Sequence, residues 1–453
     1  MSSVPANQNK MGTMSVPKLL LSMSLPMMLS MMILALYNVV DSIFVAQLSE
    51  DALTAVSLAY PIQSLIIAVS VGTGVGINAL LSRNLGEQNF KGATDAATNG
   101  IFLAIISALV FTLFGIFGSH FYFASQTGNS VIVNYGTSYL TLICVMSLCP
   151  FLQITMERLL QSTGKSVYSM LSQITGAIVN IVLDPIMIFG LFGFPRLEVT
   201  GAALATVTGQ IASVLLGLYF NIKFNKEINI NMKGFRPHKE TIRNIYIVGF
   251  PAIVMQAIGS VMTFGMNHLL LMFSTTAAAV FGIYFKLQSF IFMPVYGLNN
   301  GMVPIIAFNY GARNKKRIVS AIRLSIVTAT VIMTVGLILF MTLPDFMLRT
   351  FFDASAHMIE IGVPALKIFS LSFVFAGFSI VSSAVFQSLG NGLYSLITSA
   401  IRQLVVLLPL AYLFAKFWGL TLVWWSIPIA EIFSLVLSAI LLQKIYHDKI
   451  KNL

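Results

Sequence analysis

The chain has 453 residues, 57% of them apolar and only 9% charged, with a net charge of +11. A soluble domain carries about 25% charged residues, so a water-soluble globular fold is excluded. Twelve helices of about 20–25 residues with short loops use up the whole length, leaving no room for a sizeable soluble domain.

The N-terminal segment up to Met14 is polar, with Lys10 as its single charge. No short apolar core with a small-residue cleavage site follows, so the first apolar run is expected to stay as a membrane span. The apolar runs then fall at 17–46, 54–81, 94–118, 135–157, 166–192, 200–222, 244–272, 277–308, 319–343, 362–388, 393–416 and 420–443. Gly and polar clusters such as Gln126-Thr127-Gly128-Asn129-Ser130 separate them, which gives twelve helix candidates in an all-α polytopic membrane protein. Cys144 and Cys149 lie in one apolar run and read as packing residues of a single helix.

Placing the charges orients the chain. With the N-terminus in the cytoplasm, twenty basic residues fall on the cytoplasmic side. They are Lys10, Lys18, Arg83, Lys91, Arg158, Lys165, Lys223, Lys226, Lys233, Arg236, Lys239, Arg243, Arg313, Lys315, Lys316, Arg317, Arg323, Lys444, Lys449 and Lys451. Only Arg196, Arg349 and Lys416 fall on the other side. The positive-inside rule then puts both termini in the cytoplasm, and the basic excess needs no nucleic acid to explain it. Lys286, Lys367 and Arg402 remain within or beside spans, together with Asp41, Asp184, Glu431 and, near a cytoplasmic end, Glu157. Intramembrane charges are costly and mark cavities or partners, so these positions are the functional candidates.

An internal repeat divides the chain. An offset of 225 aligns 19–92 with 244–317 without a gap, with thirteen identities in 74 positions. The matches include Pro26 with Pro251, Gln63 with Gln288, Ser64 with Ser289, Gly72 with Gly297, Gly76 with Gly301, Asn84 with Asn309 and Gly86 with Gly311. Gln161-Ser162-Thr163-Gly164 matches Gln387-Ser388-Leu389-Gly390 at an offset of 226. The expected organisation is a cytoplasmic segment 1–16, a six-helix bundle 17–222, a cytoplasmic linker 223–243, a second bundle 244–443 and a tail 444–453. Six helices per half is an even number, so the repeat is parallel, with a pseudo-twofold axis along the membrane normal. Two such bundles sharing a cleft favour alternating access.

The run Leu25-Pro26-Met27-Met28 followed by Tyr37-Asn38-Val39-Val40-Asp41 resembles the first helix of the MATE (multidrug and toxic compound extrusion) transporters. So does Asn180-Ile181-Val182-Leu183-Asp184-Pro185 with Gly201-Ala202-Ala203-Leu204-Ala205-Thr206. The resemblance covers essentially the whole chain. Acids in helices one and five are similar to the DinF-like, MepA-like branch. It implies a bacterial inner-membrane antiporter that exports amphipathic, cationic small molecules in exchange for H⁺ or Na⁺, acting as a monomer without ATP or cofactor. A flippase for lipid-linked oligosaccharide or lipid, from the same superfamily, is the alternative. The resemblance also implies that Asp41, Asn180, Asp184 and Thr206, with Tyr37 beside them, form the coupling-cation site, open to H⁺ or Na⁺. It implies too that bending of helix one at Pro26 accompanies protonation of Asp41; a static kink that shapes the cleft is the alternative.

The residues themselves support part of this. Tyr37 precedes Asp41 by four residues and Asn180 precedes Asp184 by four, so each pair shares a helix face. Two carboxylates in low dielectric raise at least one pKa, while carboxylate, amide and hydroxyl oxygens suit Na⁺. A polar network that merely joins helices one and five is the structural alternative. The second half lacks these acids, since Met266 stands opposite Asp41. Lys286, Arg402 and Glu431 are expected to form a polar cluster there, for ion pairing or for transport. Glu157 with Arg158 reads as a solvated cytoplasmic rim, with a cation-attracting residue at the cavity mouth as the alternative, and His268 as a hydrogen-bonded core residue. Gly72-Thr73-Gly74-Val75-Gly76 is read as a close-packing stretch. Most methionines, including those crowded around Pro26, are read as packing or lipid-facing. Gly164-Lys165-Ser166 lacks the upstream glycine of a nucleotide loop, because position 159 is Leu. No catalytic constellation appears, so an enzyme is not expected.

Overall fold

Polar groups of the backbone have no water to bond in a bilayer, so an apolar chain of this length satisfies them as helices. The structure, a computed structural model, describes residues 9–47 and 50–453; the side chains of 38, 41–43, 45–46, 50 and 53 lie outside the description. Ten helices are long and apolar enough to cross a membrane, and two bent pairs complete twelve spans. Spans 1, 2 and 3 are Val16–Ala46, Glu50–Gly86 and Phe90–Gln126. Span 4 is the pair Ser130–Val145 and Leu148–Ser162, bent by 41°. Spans 5 and 6 are Ser166–Phe189 and Glu198–Phe224. Spans 7, 8 and 9 are Lys239–Leu271, Thr275–Gly311 and Lys315–Thr342. Span 10 is the pair Ala356–Ser370 and Phe373–Ser388, bent by 48°. Span 11 is Gly392–Phe417, with a π-helical turn at Ile401–Leu407, and span 12 begins at Leu420 and is α-helical to Ile445.

Two expectations change. Spans 2, 3 and 8 each have 37 residues, about 55 Å at 1.5 Å per residue, so they project well past a hydrocarbon core of about 30 Å. Polar N-caps stop the neighbouring elements: the Asn89 side chain accepts from Gly92 N and the Asn314 side chain from Arg317 N. The second change concerns the cysteines. Met146 and Ser147 break the helix between them, so Cys144 is buried in the first segment of span 4 and Cys149 half-buried in the second. A short helix, Pro344–Phe352, also lies between spans 9 and 10. Its nine residues are too few to cross the bilayer.

The repeat is visible in backbone detail. The bends at 146–147 and 371–372 are 225 residues apart. Gln88 and Arg313, also 225 apart, both adopt positive φ, 60° and 54°, just before the matched caps. Gly164 and Gly390 do the same at 85° and 77°, a conformation that costs glycine little.

The bundles meet through spans 1 and 2 of one and spans 7 and 8 of the other, span 1 against span 8 and span 2 against span 7. A twofold axis exchanges these two contacts. Glycine makes the close approach possible. A Cβ on Gly76 would strike Ile245 O of span 7, and one on Gly301 would strike Ser24 of span 1. Farther along, Gly86 lies against Phe308 O, and Gly311 against Arg83 O. The repeat-matched glycines are therefore the floor of a seam between bundles, and the close-packing reading of Gly72 and Gly76 holds. Around the outside, large apolar residues such as Phe117, Phe121 and Phe264 are strongly exposed. In a bilayer that surface faces lipid.

Candidate functional site

Spans 5 and 6 pack along each other, and span 1 lies along span 5. On their shared face Asp184 is fully buried and Asn180 nearly so. Helical spacing sets Asn180 one turn before Asp184, and its Nδ2 donates to Asp184 Oδ1 at 3.3 Å. The same Nδ2 lies 3.3 Å from Thr206 Oγ1 on span 6, and Thr206 is held by Ala202 O at 3.0 Å. Asn180 Oδ1 has no hydrogen-bond partner among the described residues. Three of the five residues expected at the coupling site, Asn180, Asp184 and Thr206, are thus brought together. Asp41 falls on span 1, and its side chain lies outside the described residues. Tyr37 is half-buried on the same helix. Span 1 runs through Pro26, and span 7 through Pro251, as continuous helices. Met23 and Met27, on either side of Pro26, are buried.

Toward the basic end of the same bundle lies a second carboxylate. Glu157 is 5% exposed, which overturns the reading of a solvated rim. Gln153 Nε2 donates to Glu157 Oε1 at 3.0 Å, and Gln173 Nε2 donates to Glu157 Oε2 at 2.6 Å. Ser30 Oγ of span 1 bonds Gln173 Oε1 in turn, tying spans 1, 4 and 5 together. The neighbouring Arg158 turns the other way. Its Nη1 donates to Gln161 Oε1 at 2.8 Å and to Asn300 Oδ1 at 2.9 Å, so this guanidinium bridges the bundles across the seam. Gly74 leaves room for its side chain. Sequence reasoning missed Gln153 and Gln173; the i,i+4 spacing of Gln153 to Glu157 was an available signal, whereas Gln173 reaches Glu157 only through the packing of span 5 on span 4.

In the second bundle Arg402 Nη1 lies 2.5 Å from Glu431 Oε1, joining spans 11 and 12. Tyr284 and Tyr296 of span 8 are within electrostatic reach of the pair. Arg402 sits on the π-helical turn, a distortion often found at functional positions. Lys286 does not join them. It is exposed and makes no ion pair among the described residues, because it lies about 200° around the helix from Tyr284. His268 is likewise exposed instead of being a core residue.

Every described hydrogen bond between the bundles falls in the basic half of the spans. Ser24 Oγ donates to Leu298 O at 3.2 Å, Arg158 reaches Asn300, and Asn309 and Arg317 reach Met11. At the same end Arg83 stacks over the Tyr310 ring at 5.3 Å.

Comparisons with known proteins agree with this architecture. A multidrug export protein MepA of Staphylococcus haemolyticus (strain JCSC1435) is 28% identical over 419 residues, 92% of this chain and 91% of the relative. A MepA of Staphylococcus aureus (strain MRSA252) is 28% identical over 434 residues, 96% and 94% of the two chains. One solved structure, described as the outward-facing conformation of a multidrug resistance MATE family transporter of the MOP superfamily, superposes with a TM-score of 0.91. It is 26% identical and covers 98% of both chains. A MOP superfamily transporter from Pyrococcus furiosus, described by a reversed polarity of its binding pocket, gives 0.90 at 26% identity and the same coverage. The MatE family model matches residues 26–186 and again 251–413, once in each bundle. Two copies of one helical module around a shared seam, matched over most of the chain, place this protein in the MatE family.

Proposed function

We propose that this protein is a secondary active exporter of amphipathic, often cationic, small molecules, driven by exchange against H⁺ or Na⁺ through alternating access. The observation that carries the reading is the fully buried Asp184, faced by Asn180 and Thr206 inside the first bundle. A carboxylate at membrane depth is costly to keep, and taking up a cation lowers that cost. The donor set fits either ion. A proton binds the carboxylate itself, and Na⁺ would be held by oxygens of Asp184, Asn180 and Thr206, with Asp41 reaching in from span 1. Asn180 Oδ1, which lacks a described partner, is the acceptor such an ion would use. The relatives named as multidrug export proteins support the substrate class.

With the basic loops in the bacterial cytoplasm and both termini there, the seam would lie on the inner side, and the inter-bundle hydrogen bonds at that end support an outward-facing reading. Neutralising Asp41 and Asp184 removes the charge that attracts a cationic drug, so ion and drug compete for this state. Pro26 cannot donate a backbone hydrogen bond to the carbonyl four residues before it. That gives span 1 a point at which to bend as Asp41 changes charge.

Efflux of a fluorescent cation from proteoliposomes tests the proposal, under an imposed pH gradient and then a Na⁺ gradient. Gradient-driven flux in the native protein, lost in Asp41→Asn, is the expected result. The gradient that drives flux identifies the ion. Full coupling retained in the mutant would overturn the site, and lipid headgroup flipping without cation flux would turn the reading to a flippase.

A further inference from the structure

The segment before span 1 is docked, although its sequence is only polar and short. Lys10–Thr13 forms one helical turn, capped by the Asn9 side chain, which accepts from Met11 N at 2.9 Å. Met11 is fully buried. On the first bundle, Asn9 lies by Thr163 O, and Lys10 packs against Gly164. Burial, with Lys165 nearby, pushes Lys10 below the ordinary lysine range.

On the second bundle the contacts are stronger. Arg317 Nη2 donates to Met14 O at 2.7 Å and to Met11 O at 2.9 Å, while its Nε donates to Asn309 Oδ1 at 3.0 Å. Asn309 Nδ2 also donates to Met11 O at 3.1 Å. A single guanidinium of span 9 therefore grips two carbonyls of the strap through charge-assisted bonds, and the Asn309 amide of span 8 shares one of them. The repeat does not dictate this. At an offset of 225 the counterpart of Arg317 is Gly92, and that of Asn309 is Asn84, whose described side-chain partner is Asn89 at 3.4 Å. Among the described residues no guanidinium grips the matching segment 234–239, which span 3 holds instead through Asn99 Oδ1, accepting from His238 N at 3.0 Å.

We propose that Arg317 is a positioning residue of the transport cycle, pinning residues 9–14 across the seam so that the basic end stays closed until the strap is released. The strap continues directly into span 1, so pinning it to spans 8 and 9 ties the bundles together where they must part. The proposal rests on the alternating-access reading given above.

The test uses the full chain with spin labels at Lys91→Cys and Lys316→Cys, exposed and repeat-matched across the seam, in a Cys144→Ala, Cys149→Ala background. Arg317→Gln is expected to raise the long-distance population at the basic end at least threefold, with hydrogen exchange of residues 9–14 at least tenfold faster. Arg317→Lys, which keeps charge but not the fork, should fall between. Met11→Asp releases the strap by burying a charge and leaves the guanidinium untouched; it should reproduce the shift even where Arg317→Gln fails to fold. Unchanged distances with a released strap, or unchanged exchange in both variants, would overturn the proposal. Label distances are read without transport. A basic end that opens as expected in a protein without cation efflux would leave the gate standing and sink the export reading instead.

Discussion

The two bundles carry the same fold but opposite solutions to a buried carboxylate. In the second bundle Glu431 has a guanidinium at 2.5 Å, so the charge is balanced within the pair. In the first bundle Asp184 is faced by an amide and Glu157 by two amides, and the adjacent Arg158 is engaged elsewhere. The positions are related. Glu431 matches Thr206 at an offset of 225, and Arg402 lies one turn before the counterpart of Asn180 at an offset of 226. An ion pair inside a bundle is a weak source of stability and a poor cation acceptor, because its own cation is covalently present. Carboxylates held by amides keep their capacity for an external one. The duplicated fold thus supplies two similar helical chambers, and the coupling proposed above rests on the side chains of the first.

Breaking the first chamber is expected to have the largest effect. Asp184→Asn keeps shape and loses charge, so gradient-driven efflux should fall by at least a hundredfold in proteoliposomes while the protein stays monodisperse. Wild-type coupling in that variant would erase the contrast between bundles. In the second chamber the loss should appear in stability. Glu431→Gln leaves Arg402 buried without its counter-ion, at a cost of about 3–5 kcal/mol read by thermal unfolding. The double variant Arg402→Met, Glu431→Leu should recover most of that stability and retain coupled efflux. Loss of coupling there would show that the second chamber also handles ions. Glu157→Gln sharpens the comparison within the first bundle. Glutamine keeps the size but turns one acceptor oxygen into a donor facing a glutamine amide, so a fall in efflux of about tenfold, larger than any loss in thermal unfolding explains, would assign the charge to transport. The smallest difference is expected at the seam, where symmetry predicts equality between its two sides. Gly76→Val and Gly301→Val should each destabilise the closed basic end by about 1–3 kcal/mol through overpacking. Unequal costs would show that the seam is less symmetric than the sequence repeat.

Local periodicity made part of the site legible. Asn180 and Asp184 could be paired from their spacing alone, since residues four apart share a helix face. The same rule shows why Glu157 and Arg158 were misread. Consecutive helical residues point about 100° apart, so one enters the bundle while the other crosses the seam. The pairing of Arg402 with Glu431 followed from the scarcity of intramembrane charge, yet including Lys286 required knowing which way span 8 faces. Cys144 and Cys149 were assigned to one helix although Pro150 was the available signal, since it cannot donate to the carbonyl of Met146, where the helix breaks.

The sequence by itself determined twelve apolar helices and the duplication, and its basic loops carry the expected orientation, because each depends on composition or on short-range spacing. Tertiary structure alone decided what the matched glycines are for, where Glu157 points, and how an unremarkable polar N-terminus comes to be held by Arg317. Those contacts join residues up to 306 positions apart. Only the packing of one bundle against the other brings them within hydrogen-bond reach.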